Sequence, residues 1–421
     1  MPDPARIAAR LDALWSIALG PGGGADRPAY SAAEAEAMLL VAGWAREQGL
    51  EPGIDPFGNL WALPRGTGSQ GGPVVTAGSH VDTVPDGGRY DGALGTVLGL
   101  ELVADLADPA DAPDPADAPA ADGARAGILI CAAEEAPRFG AGTMGSRQLV
   151  GTLDPGALPG LRDAAGVTAA DALADYLALL SDLPRIDPPV GRLRAHGEVH
   201  VAQRRELREL GVVRTVASPR RFAVTITGES GHSGEVSMSA RHDALAAGAE
   251  IVLAVEAAAQ AEPPETVATV GTIAVTPGAL SVIPGEARLG IDVRGTDSTS
   301  LDRLDARLRA QAADIAGRRG VTAELELLRA GEPVTLDPAL AQAALRAARE
   351  LGIPARDTWS GAGHDAQHLS AIAPALLLFV PLHGGESHTP HEGAEMDEIV
   401  QAARVMTSVM RGMSLDTGGT V

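Results

Sequence analysis

The sequence predicts an α/β domain that carries an inserted α+β domain of ferredoxin-like order. Three observations carry that expectation. Two short apolar runs, residues 73–78 and 127–133, have the unalternating composition of buried parallel strands. A helical stretch over residues 94–106 lies between them, which makes a strand–helix–strand unit. From about Val212 the texture changes to strand–helix–strand–strand–helix–strand, the ferredoxin-like order.

The elements follow in turn. Residues 1–19 set Ile7, Leu11, Leu14 and Ile17 on one side of a helix, while Asp3, Arg6, Arg10 and Asp12 break the apolar core that a signal peptide needs. Residues 31–48 have helical spacing with Ser31 as the N-cap. Residues 107–124 hold four Pro, five Asp and no large apolar side chain, so a disordered surface loop is expected there. In the inserted domain, residues 221–227 alternate apolar and polar, 242–261 form an Ala-rich helix, and 266–275 and 287–294 alternate again. A second helix is expected over 301–317 and a last strand over 322–328. Helix resumes at 338–351, and 375–380 is another buried strand, so the outer segments complete one α/β domain. The expected boundaries are 1–211, 212–330 and 331–421.

Composition removes several classes of function. All 33 basic residues are arginine, which excludes a Schiff-base lysine and a P-loop. The single Cys131 excludes intramolecular disulfides and Cys-rich metal sites. A formal charge of −22 argues against nucleic acid or an anionic membrane as partner, and no run approaches the ~20 apolar residues of a membrane span. A cytoplasmic protein is the expectation.

The chemistry gathers where apolar strands end in His, Asp and Glu. The first run leads into His80 and Asp82, with Asp91 beyond, and the second into Glu134 and Glu135. Ligands of open α/β sheets bind beyond the carboxyl ends of the strands, so these five side chains are expected on one rim. A mixed His and carboxylate set without Cys suits Zn, Mn, Co or Ni. His196 and His200 are four apart and either could face the metal. His383 and His388 both follow the last buried strand. His364 reads as a turn residue or a pocket wall, and His242, His368 and His391 as solvated.

Residues 78–101 (GSHVDTVPDGGRYDGALGTVLGLE) resemble the M20 metallopeptidase and amidase superfamily. The nearest likeness is to its branch of N-carbamoyl-L-amino-acid hydrolases, β-ureidopropionases and allantoate amidohydrolases. Residues 134–151, 230–245, 281–294, 360–367 and 384–390 are similar to further blocks of that branch, in the same order. The resemblance implies a mixed-sheet metallopeptidase catalytic domain with an inserted lid and dimerisation domain. It implies two divalent metal ions per chain, held by His80, Asp91, Glu135, His200 and His388. Asp91 would bridge them, His80 and His200 would sit on opposite metals, Glu135 on one and His388 on the other. Asp82 would orient the His80 ring, Glu134 would be the general base, and His232 would polarise the substrate carbonyl from the lid. Gln203, Arg204, Ser281, Arg294 and His364 are the implied substrate residues, with Arg294 clamping a carboxylate. The implied partners are a small carboxylate-bearing substrate and a second copy of the chain, paired through the lid.

Departures from the branch's pattern fall on the substrate side. Its glutamate two positions after His200 is Ala202, its following glycine is Arg204, its Asn before VIPG is Ser281, and a Pro of the lid block is Ser237. Losing a carboxylate and gaining a guanidinium, the latter at the start of a helix expected over 204–210, is expected to reshape which substrate end groups fit. The expected function is hydrolysis of a linear C–N bond in an N-carbamoyl or N-acyl amino acid, through an atypical pocket. The alternatives are an aminoacylase or dipeptidase, or a relative that keeps the fold for binding or for a non-hydrolytic reaction.

Overall fold

The structure is a computed structural model and describes residues 1–65, 72–107, 124–384 and 386–415. The surface loop expected over 107–124 falls, but for its end residues, outside the described residues. The chain divides into two compact units. One comprises Met1–Arg214, Thr335–Thr358 and Gly363–Val421, the other Thr215–Val334 and Trp359–Ala362.

The first unit opens with helix α1 (Pro4–Trp15), capped by Asp3, whose carboxylate accepts the N–H groups of Ala5 and Arg6. It buries Ile7, Leu11 and Leu14, and its Arg6 and Arg10 both reach the buried Glu101. Helix α2 (Ala32–Glu47) is capped by Ser31. Strands β1 (Leu50–Ile54) and β2 (Leu60–Pro64) form a hairpin. Strand β3 (Val74–Ala77) is buried on both faces, helix α3 (Ala93–Ala107) crosses over, and β4 (Arg125–Ile130) returns parallel to β3. The short α4 (Met144–Leu149) and α5 (Ala169–Leu179) precede β5 (Leu193–Val201) and β6 (Leu210–Val216).

The second unit runs β7 (Ser218–Thr227), β8 (Gly231–His232), α6 (Ala244–Gln260), β9 (Val267–Thr276), β10 (Val282–Ile283), β11 (Glu286–Gly295), α7 (Ser298–Arg319) and β12 (Thr322–Ala330). Its four-stranded sheet has the order β12-β7-β11-β9 with every neighbour antiparallel, the ferredoxin-like arrangement. The alternation in sequence sets its core: Phe222, Val224 and Ile226 of β7 and Leu289, Ile291 and Val293 of β11 point inward and meet Ile251, Val255, Leu304 and Leu308 of the two helices.

The chain then adds β13 (Val334–Thr335), α8 (Pro338–Glu350), β14 (Ala355–Ser360), α9 (Asp365–Leu369), β15 (Ala375–Val380), β16 (His383–Gly384), β17 (Glu392–Gly393) and α10 (Met396–Leu415). The large sheet runs β1-β2-β4-β3-β5-β15-β6-β13, with β14 also beside β6. Parallel pairing of β4, β3, β5 and β15 next to antiparallel β2 and β6 makes it a mixed α/β sheet. Strand β15 is buried along its whole length, as its unbroken ALLLFV run requires. No described helix is long and apolar enough to cross a membrane.

One expected element is absent. Residues 204–209 form no helix and run as bends and turns into β6. Leu207 is the one fully buried side chain among them, so no apolar stripe exists to hold a helix against the core.

Candidate metal centre

The parallel strands β3, β4 and β5 and the turn after β15 deliver the site. His80 follows β3 and forms an isolated bridge with Cys131, one residue past β4. Its Nδ1 lies 3.0 Å from the main-chain oxygen of Asp82. His200 lies near the end of β5 with its Nδ1 2.9 Å from the oxygen of Val201. A carbonyl only accepts, so in both rings Nδ1 carries a proton and Nε2 is the nitrogen whose lone pair can bind a cation. Both Nε2 atoms point at Asp91 Oδ1, at 3.7 Å from His80 and 2.9 Å from His200. From the other side His388 Nε2 lies 3.0 Å from Asp91 Oδ2 and 3.7 Å from Glu135 Oε1.

Among the described residues these atoms form two donor groups: His80, Asp91 and His200, and Asp91, Glu135 and His388. An imidazole whose Nδ1 is already a donor meets a carboxylate through a bare Nε2 lone pair, which repels unless a proton or a cation lies between. Three imidazoles and the Glu135 carboxylate around one shared Asp91 therefore fit divalent cations. This grouping corrects the expectation that His80 and His200 face opposite metals with Glu135 and His388 also apart. Each oxygen of Asp91 serves one group, and the two strand-borne histidines fall on the same oxygen.

Charges in the chain alone bear out the crowding. Burial raises the Asp91 carboxyl, but His200, His388 and His80 outweigh it and hold its pKa well below the usual range. The contact with Asp91 lifts His388 to about 9. Burial, helped by Asp91, pushes Glu135 up to about 7. Glu134 also stands well above its usual value, chiefly through burial, and its Oε2 lies 3.8 Å from His80 Nε2.

The loop carrying the two glutamates is held through four successive amides. The N–H of Ala132 donates to Asn59 Oδ1 at 2.9 Å and that of Ala133 to Glu34 Oε1 at 2.9 Å. The N–H groups of Glu134 and Glu135 donate to the two oxygens of Asp82, at 3.1 and 2.8 Å. Asp82, wholly buried, thus fixes the glutamate loop as well as standing 3.4 Å from His80 Nδ1. Gly92 is required on two counts: it sits at φ +64°, and a Cβ there would lie 2.4 Å from the His80 ring.

Other sequence candidates find places in the first unit. Gln203 Nε2 is 3.3 Å from His388 Nε2. His364 is buried with its ring edge-on to His200 at 4.7 Å, and burial holds it well below its usual pKa, hence neutral. Arg204 is half-buried and hydrogen-bonds Thr358 Oγ1, while Arg205 pairs with Glu386. His196 lies inside the sheet against Thr76 Oγ1 at 3.0 Å, and burial pushes its pKa down to about 3. It is no part of either donor group. His383 pairs with Glu398 at 2.7 Å. His368 is not solvated as expected: it is half-buried and its Nε2 meets Thr143 Oγ1 at 2.9 Å.

Three candidates belong to the second unit. His232 of β8 is exposed and pairs across to Val282 of β10, which sets it beside Ser281, whose carbonyl accepts the Ser233 N–H at 3.0 Å. Arg294 of β11 is half-buried, pairs with Asp292 at 3.1 Å and donates to the Gly361 carbonyl at 3.0 Å.

Sequence reasoning missed Glu34, Asn59, Glu198, Asp365 and Glu392. Glu34 stands at the third helical position after the Ser31 cap, the capping-box spacing, which was a usable signal. Glu198 accepts from Ser79 Oγ at 2.7 Å and from the Ala366 N–H at 2.8 Å, and Asp365 from Ser146 Oγ at 2.6 Å. Their partners are distant in sequence and nothing local marks them.

A mixed sheet with an inserted α+β unit, and a His and carboxylate cluster at the carboxyl ends of its parallel strands, defines a metal-dependent hydrolase. The chain belongs to the peptidase family M20/M25/M40, whose model matches residues 77–412. It is 34% identical over 405 residues to an N-carbamoyl-L-amino acid amidohydrolase of Geobacillus stearothermophilus, covering 95% of this chain and 96% of that one. It is 32% identical over 395 residues to the allantoate amidohydrolase of Bacillus subtilis (strain 168), covering 92% of each. A crystal structure of an amidase of the hydantoinase/carbamoylase family from Burkholderia multivorans matches with a TM-score of 0.86 at 32% identity over 98% of both chains. These relatives place the chain with the amidohydrolases of the family.

Proposed function

We propose that the chain is a dinuclear metal-dependent amidohydrolase that cleaves a linear C–N bond of an N-carbamoyl or N-acyl amino acid. The observation that carries this reading is the pair of donor groups sharing Asp91, one oxygen each, with Glu134 beside them. Two divalent cations, Zn, Mn, Co or Ni, would polarise the scissile carbonyl and make a water acidic enough to ionise near neutral pH. His80 and His200 would hold one cation through Nε2, Glu135 and His388 would hold the other, and Asp91 would serve both. Glu134 takes the proton of the attacking water and returns it to the leaving nitrogen, which departs only as an amine. His232 donates to the oxygen that gains charge, and Arg294 offers a planar fork to the substrate carboxylate. Gln203, Arg204 and His364 of the first unit are assigned to further substrate contacts, and Ser281 to the share of the second unit. Ala202 and Arg204, one a lost carboxylate and the other a gained guanidinium, make that pocket atypical.

Pairing of two chains through the second unit is part of the same reading. Strand β9 is a sheet edge, Ile273 on it is 52% exposed, and Leu280 just beyond is fully exposed. Sedimentation of the intact chain reads the dimer directly.

The test of function is a substrate panel scored by product. Hydrolysis of an N-carbamoyl amino acid consumes water and yields the amino acid, ammonia and CO₂, whereas N-acyl hydrolysis yields the amino acid and a carboxylic acid without ammonia. Metal-dependent ammonia release on carbamoyl substrates supports the ureido reading. Turnover of acyl or dipeptide substrates alone moves the assignment to an aminoacylase or dipeptidase. No turnover of either class by the metal-loaded chain contradicts both.

A further inference from the structure

We propose that Glu392 is a positioning residue that ties the turn bearing Asp91 to the turn bearing His388, and that residue 88 is glycine to leave room for its carboxylate. The inference rests on the dinuclear reading above. Glu392 is 6% exposed. Its Oε2 accepts two successive amides, Tyr90 N–H at 2.8 Å and Asp91 N–H at 3.0 Å. Its Oε1 accepts from Ser387 Oγ at 2.9 Å, the residue before His388. The Glu392 N–H closes the same turn on the Thr389 carbonyl at 3.1 Å, and β16–β17 pairing sets Glu392 opposite Gly384. His388 stands in that turn at φ +63°, a left-handed conformation that a non-glycine residue keeps only when its surroundings hold it.

One carboxylate therefore spans two segments about 300 residues apart in sequence that must meet for Asp91 Oδ2 to face His388 Nε2. Asp82 does the same for the glutamate loop, so each acidic ligand has its main chain pinned by a buried carboxylate that is not itself in either donor group. Gly88 supplies an independent sign. A Cβ there would lie 2.1 Å from Glu392 Oε2 and 2.4 Å from its carboxyl carbon. Its φ is not in the left-handed region, so an alanine there would displace the carboxylate and would not strain the backbone.

The group of Asp91, Glu135 and His388 takes two of its three ligands from the tied turns, and the group of His80, Asp91 and His200 takes one. Loss of the tie should weaken a cation at Asp91, Glu135 and His388 more than one at His80, Asp91 and His200. The experiment is titration of the metal-free, full-length chain with Co²⁺ alone, followed by visible absorption against a competing chelator. Glu392→Ala and Gly88→Ala should each weaken one of two equivalents by about 10–100-fold and the other much less. Glu392→Gln keeps an acceptor for the two amides and a donor for the Ser387 hydroxyl, so it should stay within about threefold of wild type. The double variant should be no worse than Glu392→Ala, because both changes remove the same tie.

Wild-type affinity for both equivalents in Glu392→Ala and Gly88→Ala would overturn the proposal, as would Glu392→Gln being as weak as Glu392→Ala. If Glu392→Ala fails to fold, Gly88→Ala and Ser387→Ala carry the same test. Selective loss of one equivalent with an unchanged melting temperature supports the tie, and unchanged affinity sinks it. A wild-type chain that binds a single equivalent overturns the dinuclear reading instead, and Glu392 is then judged on that equivalent by the same criterion.

Discussion

Asp82 holds Glu135 by the main chain: its Oδ2 accepts the Glu135 N–H at 2.8 Å while its Oδ1 takes that of Glu134 at 3.1 Å. In Asp82→Asn the side chain keeps one acceptor, so one of the two amides loses its partner. Metal affinity should fall by about 10–100-fold with KM little changed. Chelator competition measures the first and steady-state kinetics the second. A variant with wild-type affinity contradicts the role of Asp82.

Glu134 stands apart from both donor groups but 3.8 Å from His80 Nε2. Glu134→Gln preserves its shape and removes its basicity. Metal stoichiometry should be unchanged, and kcat should fall by about 10²–10⁴-fold. Wild-type turnover in this variant would show that another group accepts the proton.

Metal uptake should release protons. In the chain alone the Asp91 contact lifts His388 to about 9, and burial pushes Glu135 to about 7. At pH 7 His388 is protonated, and its Nε2 can bind a cation only after losing that proton. The metal-bound state holds fewer protons, so affinity rises with pH up to about 9 and falls as pH drops. Calorimetric titration at pH 7 in two buffers of different ionisation enthalpy should show about one or more protons released per chain. Heats independent of buffer contradict this.

Asn59 is the far support of the glutamate loop. Its Oδ1 accepts the Ala132 N–H at 2.9 Å, and its Nδ2 donates to Asp55 Oδ2 at 2.8 Å. Asn59→Ala leaves the buried Ala132 N–H without its partner, at a cost of about 1–3 kcal/mol, while Asp55 Oδ2 keeps the Trp61 indole N–H. The urea midpoint should drop accordingly, and an unchanged midpoint would mean that the loop is held elsewhere.

The readable parts of the sequence are those where local composition and tertiary role agree. The ALLLFV run is a buried strand to the residue, and the alternation over 221–227 gives β7. Strand β5 was not legible because His196, Glu198 and His200 interrupt its apolar pattern. Those polar residues are tolerated because each meets a partner from another segment: Thr76, Ser79 and Asp91 respectively. The basic stretch from Arg204 looks helical by propensity but has no face to bury. The ligand types could be read at strand ends. Which histidines share an oxygen of Asp91 could not, because that depends on the direction from which β3, β5 and the 386–390 turn approach it. Glu392 was invisible for the same reason.

The most direct measurement is the metal content of the reconstituted full-length chain, wild type beside Asp91→Ala. Asp91 is the one residue common to both donor groups. After loading with Zn, Mn, Co or Ni and removal of excess, the wild type should retain about two equivalents and Asp91→Ala close to none. A wild type near zero under all four metals, or an Asp91→Ala variant that keeps both equivalents, would contradict a dinuclear centre built on Asp91.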